Sequence, residues 1–409
     1  MFMTGIKVLS ADTALVDHVI PPELLKEIHQ LFVAHSIIKA QPDAWKNNSD
    51  KYKMSLDLYM RVSGIVNDAI SKGLYSEDLI SLGGSGLNAM SLAYRALKGT
   101  GHEFEMTCLS VAGHRANGVR LRRLLEELGI GLAPNFENDP ECRYAQGTTA
   151  SGYVFLIKDE ETEKVKKQVA GYAGNGKDLI TADDVRELFD REKYQLVYLS
   201  GNAREKFGDS AAQAILQECV THGSDIVLTM PTQSRSGMDA KTRDFFKKAA
   251  ESAVIISCNK DELLNTFTTD SKDEAIAGLQ ARMRNNAGRN PVAIITDGMK
   301  PLTIVTCTEI RTIPAPAKLE TVVKDSLGAG DNFLGGVVTA ILKGRTIEEA
   351  IAFGGICSDQ VIQQYGAHLK TDPKNLADEY FGAAPEVSTI LAPISSKRHP
   401  LEIRFREAA

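Results

Sequence analysis

From residue 195 to residue 295 the chain repeats a pattern that few architectures can satisfy. The runs Leu196 to Leu199, Ile226 to Met230, Val254 to Ile256 and Val292 to Ile295 are short, apolar and rich in β-branched residues. Amphipathic stretches near 209–222, 239–251 and 272–287 separate them. A strand with one wet face alternates apolar and polar residues, whereas a continuous apolar strand is covered on both faces. Such strands interleaved with helices predict an α/β architecture built on a parallel sheet. Ligands in these sheets gather beyond the carboxyl ends of the strands. The polar residues following the runs are therefore candidates for a site: Gly201-Asn202, Asn259 to Glu262, and Thr296-Asp297-Gly298.

Residues 325 to 344 give that site a chemistry. The small-residue turn Gly328-Ala329-Gly330 leads into a helix predicted to begin at about Asp331. Phe333, Leu334, Val337, Val338, Ile341 and Leu342 form its apolar face, and Lys343-Gly344 close it. The first turn of a helix leaves backbone N–H groups unpaired at the positive end of the dipole, and the near absence of side chains lets an anion reach them. A carboxylate beside such a hole can take a proton from a hydroxyl while the hole holds phosphate charge. Taken alone, Asp331 is equally what an N-cap looks like, and Asp325-Ser326 reads as a second turn or cap.

Upstream, Ile80-Ser81-Leu82 runs into Gly83-Gly84-Ser85-Gly86-Leu87-Asn88-Ala89 and a helix to about Leu97. Gly84 to Ala89 fits Gly-x-Gly-x-x-Ala, a weak dinucleotide signal on its own. The next strand, Phe104 to Val111, ends in Ala112-Gly113-His114-Arg115 rather than in the expected acid. Arg115 leaves an NADP-dependent oxidoreductase as a competing reading. Asn88, in the first turn of its helix, is placed to hydrogen-bond a sugar hydroxyl or to cap locally. Asp17 and His18 interrupt the apolar run 14–20, as a strand end facing a ligand or an exposed edge would.

These pieces divide the chain into an α/β core of 1–20, 76–129 and 176–384. The rest is a helical insertion or cap over 21–75, a β-rich lid excursion over 130–175 and a C-terminal tail over 385–409. A last helix pair is expected at about 346–365, and Arg120, Arg122 and Arg123 read as a solvated face. With 43% hydrophobic residues a sizeable core is available, and a net charge of −6 argues against nucleic-acid or acidic-membrane partners. No run has the apolar length of a membrane span, and Met1-Phe2-Met3-Thr4-Gly5 lacks a signal-peptide pattern. The six cysteines, at 108, 142, 219, 258, 307 and 357, form no Cys-x-x-Cys, so reduced thiols are expected. The expectation is a cytoplasmic protein, monomer or homodimer.

With these motifs in order, the chain resembles the ribokinase-like (PfkB-type) carbohydrate and nucleoside kinases from about Ala14 to about Ala367. Asp325-Ser326-Leu327-Gly328-Ala329-Gly330-Asp331 is close to the family's Asp-Thr-x-Gly-Ala-Gly-Asp, with Ser326 in place of Thr. Gly83-Gly84 with Asn88 is similar to its N-terminal signature, and Asn259-Lys260-Asp261-Glu262 to its Asn-x-x-Glu. The long 21–75 segment and Gly83-Gly84-Ser85 lean toward the adenosine-kinase branch. His114-Arg115 stands where a Gly-x-Asp turn is common.

The resemblance implies a three-layer α/β/α sandwich with a mostly parallel central sheet and a small β-rich lid. It implies ATP-dependent phosphoryl transfer to a hydroxyl, with ATP and Mg2+ as cofactors and a monovalent cation such as K+ as a further candidate. Asp331 would be the base, and the backbone of Gly328, Ala329, Gly330 and Asp331 the anion hole. Asp17, Gly83, Gly84, Asn88 and, more loosely, Asn175 would meet the sugar or nucleoside. Asn259 and Glu262 would help hold magnesium, and Asp297, Gly298, Asp325 and Ser326 would lie by the nucleotide. Phe136, Tyr153 and Phe155 are candidates either for a nucleoside-base slot or for lid core. A non-catalytic nucleotide-binding protein is the other alternative.

Overall fold

The computed structural model describes the chain except residues 1–5, 13, 21, 35–50, 101–103, 134–146, 159–164, 173, 299, 317–322, 383–400 and 406–409. Cys142 and Phe136 lie outside the described residues, as does the side chain of Phe155. Numbered along the chain, the strands are β1 Ile6–Ala11, β2 Leu15–Ile20, β3 Lys51–Lys53, β4 Ile80–Gly83, β5 Phe104–Leu109, β6 Gly131–Ala133 and β7 Ala150–Lys158. They continue with β8 Val165–Tyr172, β9 Leu196–Leu199, β10 Asp225–Thr229, β11 Ala253–Asn259, β12 Val292–Asp297, β13 Lys300–Thr306 and β14 Ile310–Ile313. The helices are α1 Pro22–Ala34, α2 Leu56–Ser71, α3 Ser85–Leu97, α4 Ala116–Leu128, α5 Gly176–Leu179, α6 Ala182–Arg191 and α7 Ala203–His222. After them come α8 Ala240–Ala249, α9 Lys260–Phe267, α10 Lys272–Met283, α11 Ala329–Leu342, α12 Ile347–Ile362 and α13 Pro373–Phe381.

The continuous apolar runs become the centre of the larger sheet, ordered β14-β13-β12-β11-β10-β9-β1-β5-β6. It is parallel from β12 through β6, with β13 and β14 turned antiparallel at one edge. Leu196, Val197, Tyr198 and Leu199 of β9 are fully buried, and so are Val254, Ile255 and Ile256 of β11. One apolar cluster on a face of this sheet includes residues of α3, α11 and α12, and a second on the other face includes residues of α6 to α10. The fold is therefore an α/β sandwich with a mostly parallel centre.

A smaller sheet, β3-β8-β7-β2-β4, accounts for the β-rich excursion. Its membership differs from the sequence division: β2 and β4 were expected with the core, yet they pair with each other and with β7. The chain crosses from one sheet to the other between Ala11 and Leu15. The 21–75 segment also contributes the edge strand β3, parallel to β8. On one face of this sheet Val16, Ile20, Leu82 and Tyr153 pack with Tyr59, Val62 and Val66 of α2.

Three helix expectations change. α11 begins at Ala329, two residues before Asp331. The expected pair at 346–365 is one helix, α12, in which Gly354 permits contact with α11: a Cβ there would lie 2.6 Å from Phe333 O. Arg122 is not a solvated side chain, because its guanidinium donates to the carbonyls of Ala112 and Gly113. The tail returns to the core, with Leu401 and Ile403 buried and Leu401 N donating to Asp225 Oδ2 at 2.9 Å.

Candidate active site

A cavity of about 300 Å3 opens beyond the carboxyl ends of β9 to β12 and is closed on one side by the start of α11. Ala329, Gly330 and Asp331 line it, facing Asn259, Glu262, Asp297 and Gly298. The strand ends, the glycine turn and the acid that the sequence singled out thus share one space.

The turn ahead of α11 is held from behind. Gly328 caps the helix with φ 74°, and a Cβ there would lie 2.6 Å from Ala367 O. Asp325 is 2% exposed, and both its oxygens accept backbone donors: Oδ1 from Leu327 N at 2.9 Å and Oδ2 from Gly366 N at 3.2 Å. Asn332 Nδ2 donates to the carbonyls of Gly328 (2.8 Å) and Ala367 (2.7 Å). Asp325, Ser326 and Gly328 are not among the lining residues; Asp325 and Gly328 fix the shape of the turn instead. Gly330 differs, since nothing lies within 4 Å of a Cβ built on it. As the first three residues of the helix, Ala329, Gly330 and Asp331 carry N–H groups without intrahelical partners.

Asn259 and Glu262 form a capping box at the start of α9. Asn259 Oδ1 accepts from Glu262 N, and Glu262 Oε2 accepts from Asn259 N, each at 2.9 Å. The pair that the resemblance assigns to a metal thus also starts a helix. Both residues line the cavity and carry side-chain oxygens, the ligand type that suits a hard cation. Among the described residues no group of three or more His, Cys, Asp or Glu could hold a metal ion directly.

The residues assigned to the acceptor sit on the other side of Asp331. Asn88 Nδ2 donates to Asp331 Oδ2 at 3.1 Å. Asp17, 6% exposed on β2, lies over two glycines on neighbouring strands. A Cβ on Gly83 would be 2.2 Å from its Oδ2, and one on Gly152 2.3 Å from its Oδ1. Gly84 caps α3 with φ 106°. Asn175 is farther off, its Oδ1 accepting from Thr148 N at 2.7 Å to tie the start of β7 to α5. Tyr153 is fully buried and stacks on His18 at 4.9 Å, placing it in the lid core.

Sequence reasoning missed Asp12. It follows β1, is 3% exposed, and accepts from Gly86 N at 2.7 Å, capping α3 from a distant part of the chain. Burial, with Asp331 nearby, pushes its carboxyl above the usual range. Its signal was an acid just past the end of a central parallel strand. The NADP reading loses its structural basis here. β4 pairs antiparallel with β2 in the small sheet, while β5, the strand after α3, belongs to the large one. The βαβ unit that a dinucleotide fingerprint needs is not formed.

Residues 54–375 match the pfkB family of carbohydrate kinases. Among curated proteins, the bifunctional protein HldE of a Nitratiruptor species is 24% identical over 272 residues, 65% of this chain and 51% of that protein. The chain thus spans about half the length of this relative and of a second HldE, from Sulfurimonas denitrificans. Among solved structures, a probable sugar kinase from Rhizobium etli superposes with a TM-score of 0.63 at 19% identity, covering 92% of this chain and 99% of that one. An adenosine kinase from Schistosoma mansoni in complex with adenosine gives 0.65 at 13% identity, covering 91% and 98%. These likenesses extend to the fold.

Proposed function

The chain belongs to the pfkB carbohydrate kinase family, and from that premise we propose that it transfers the γ-phosphate of ATP to a hydroxyl, preferably primary, of a sugar or nucleoside. One observation carries the reading. Asp331 stands on the cavity wall beside the open backbone at Gly330, opposite the polar ends of β11 and β12. An alcohol is far weaker as an acid than a carboxylic acid of pKa about 3.9, so Asp331 forms little alkoxide in advance. It receives the proton late, in a loose transition state where positioning and charge stabilisation supply most of the rate.

The N–H groups at the start of α11 hold the charge of the transferred phosphoryl, and each such donor contributes about 3 kcal/mol in comparable holes. Thr296, Asp297 and Gly298 flank the nucleotide. Asn259 and Glu262 would help hold magnesium, alongside the capping box in which Asn259 Oδ1 and Glu262 Oε2 each accept a backbone N–H. Magnesium bound with ATP would neutralise developing phosphate charge. Asp17 and the glycines around it receive acceptor hydroxyls, and the small sheet excludes water that would otherwise take the phosphoryl group.

The test is ADP release from ATP and Mg2+ with a panel of sugars and nucleosides, run beside an NADPH fluorescence titration. Acceptor-dependent ADP release without NADPH binding supports the kinase. ATP binding with no acceptor-dependent turnover supports the non-catalytic alternative.

A further inference from the structure

We propose that Asn88 is a positioning residue for the base, holding Asp331 ionised and fixing which carboxylate oxygen faces the cavity. The proposal rests on the kinase reading for its purpose, though not for its test. Asn88 is 3% exposed, in the first turn of α3, and its Nδ2 donates to Asp331 Oδ2 at 3.1 Å. Its Oδ1 is buried and has no hydrogen-bond partner among the described residues. The amide cannot be turned around without placing its oxygen against the carboxylate. It is well placed to hold a carboxylate rotamer. Leu87, Ala89 and Met90 of α3 share one apolar cluster with Phe333, Leu334 and Val337 of α11, so the geometry of the pair is set by packed helices.

The charges around Asp331 act in both directions: the N-terminus of α11 and Lys300 favour its carboxylate, whereas Asp12 opposes it. Buried Asp12 at the end of β1 repels Asp331, and the Tyr198 phenol on β9 feels both carboxylates. Lys206 of α7 acts on Asp12, while Glu262, Asp297 and Lys300 line the same cavity across from Asp331. Asp12 therefore favours protonation of Asp331, and the Asn88 N–H opposes it by stabilising the charged form.

The test is substrate-free. Full-length protein labelled with [13Cγ]aspartate is titrated by NMR, and the Asp331 resonance is assigned by its loss in Asp331→Asn. Replacing Asn88 by Leu, which keeps the bulk and removes the donor, is expected to raise the Asp331 midpoint by about one pH unit. Asn88→Ala carries the same expectation if the leucine variant does not fold, and Asn88→Gln, which retains a donor, should restore part of the shift. An unchanged midpoint in the donor-free variants overturns the proposal. Because no acceptor is present, failure here is distinct from failure of the kinase reading, which the ADP-release panel alone decides.

Discussion

Gly328 and Gly330 are two residues apart in one turn, yet adding the same methyl group should have opposite consequences for stability. At Gly328 the backbone has φ 74°, which costs about 1–2 kcal/mol for a residue with a Cβ. The new atom would also sit 2.6 Å from Ala367 O and 2.7 Å from Ala367 Cβ, and overpacking of this kind adds about 1–3 kcal/mol. Gly328→Ala should therefore lose about 2–5 kcal/mol. For a chain of 409 residues, unfolding entropy makes that roughly 1 °C of melting temperature per kcal/mol, a fall of a few degrees. At Gly330 the backbone is already helical and the methyl meets nothing within 4 Å. Alanine there should be neutral or stabilising by up to about 1 kcal/mol. The methyl would, however, stand in the cavity over the N–H groups, and loss of one such donor lowers kcat by about a hundredfold or more. Calorimetric melting and ADP-release kinetics on the two variants provide the assay. Wild-type turnover in Gly330→Ala would refute the anion cradle, and an unchanged melting temperature in Gly328→Ala would refute the structure of the turn.

Gly83→Ala places a methyl 2.2 Å from Asp17 Oδ2. It should raise KM for the acceptor while leaving the KM for ATP near wild type, which acceptor and ATP titrations separate. Asn259→Ala removes the side-chain cap of α9 and should cost about 1 kcal/mol in urea denaturation, with a higher magnesium requirement in the kinetic assay. His18 supplies a pH prediction: burial lowers its pKa to about 3, and neither ring nitrogen has a hydrogen-bond partner among the described residues. Nearby Asn117 spends its amide on Tyr59 Oη and Ser151 Oγ. Below the ordinary histidine value of about 6.5 the unfolded chain takes up a proton that the folded one refuses, so stability falls with pH from there toward 3. The slope approaches about 1.4 kcal/mol per unit. His18→Phe should flatten this limb in urea unfolding from pH 6.5 to 4.5, and an unchanged slope would assign acid sensitivity to other groups.

The sequence showed most where one segment carries its own instruction. The runs at 196–199, 254–256 and 292–295 became central parallel strands because continuous apolar residues leave no face for water. Glycines cut both ways. Gly328-Ala329-Gly330 correctly marked a turn into a helix, whereas the pair of helices expected at about 346–365 is the single helix α12. There Gly354 serves close packing against Phe333. What escaped notice depends on a distant partner. The residues of β2 and β4 do not state which sheet they join, since the decision lies with their pairing to β7. Asp12 reads as an ordinary acid after a strand until Gly86 is brought to it. Asn259 and Glu262 were found by their spacing, but that spacing equally encodes the capping box they form.

The central claim is that the backbone at the start of α11 holds a phosphoryl group in transit to a hydroxyl whose proton Asp331 receives. The most direct measurement follows radiolabel from [γ-32P]ATP into acceptors of the sugar and nucleoside panel, for the native protein and for Asp331→Asn. Label should appear in at least one acceptor with the native protein and fall by about a hundredfold or more in the variant, while ATP affinity is retained. Equal transfer by the two proteins, or transfer by neither with ATP bound, would contradict the account.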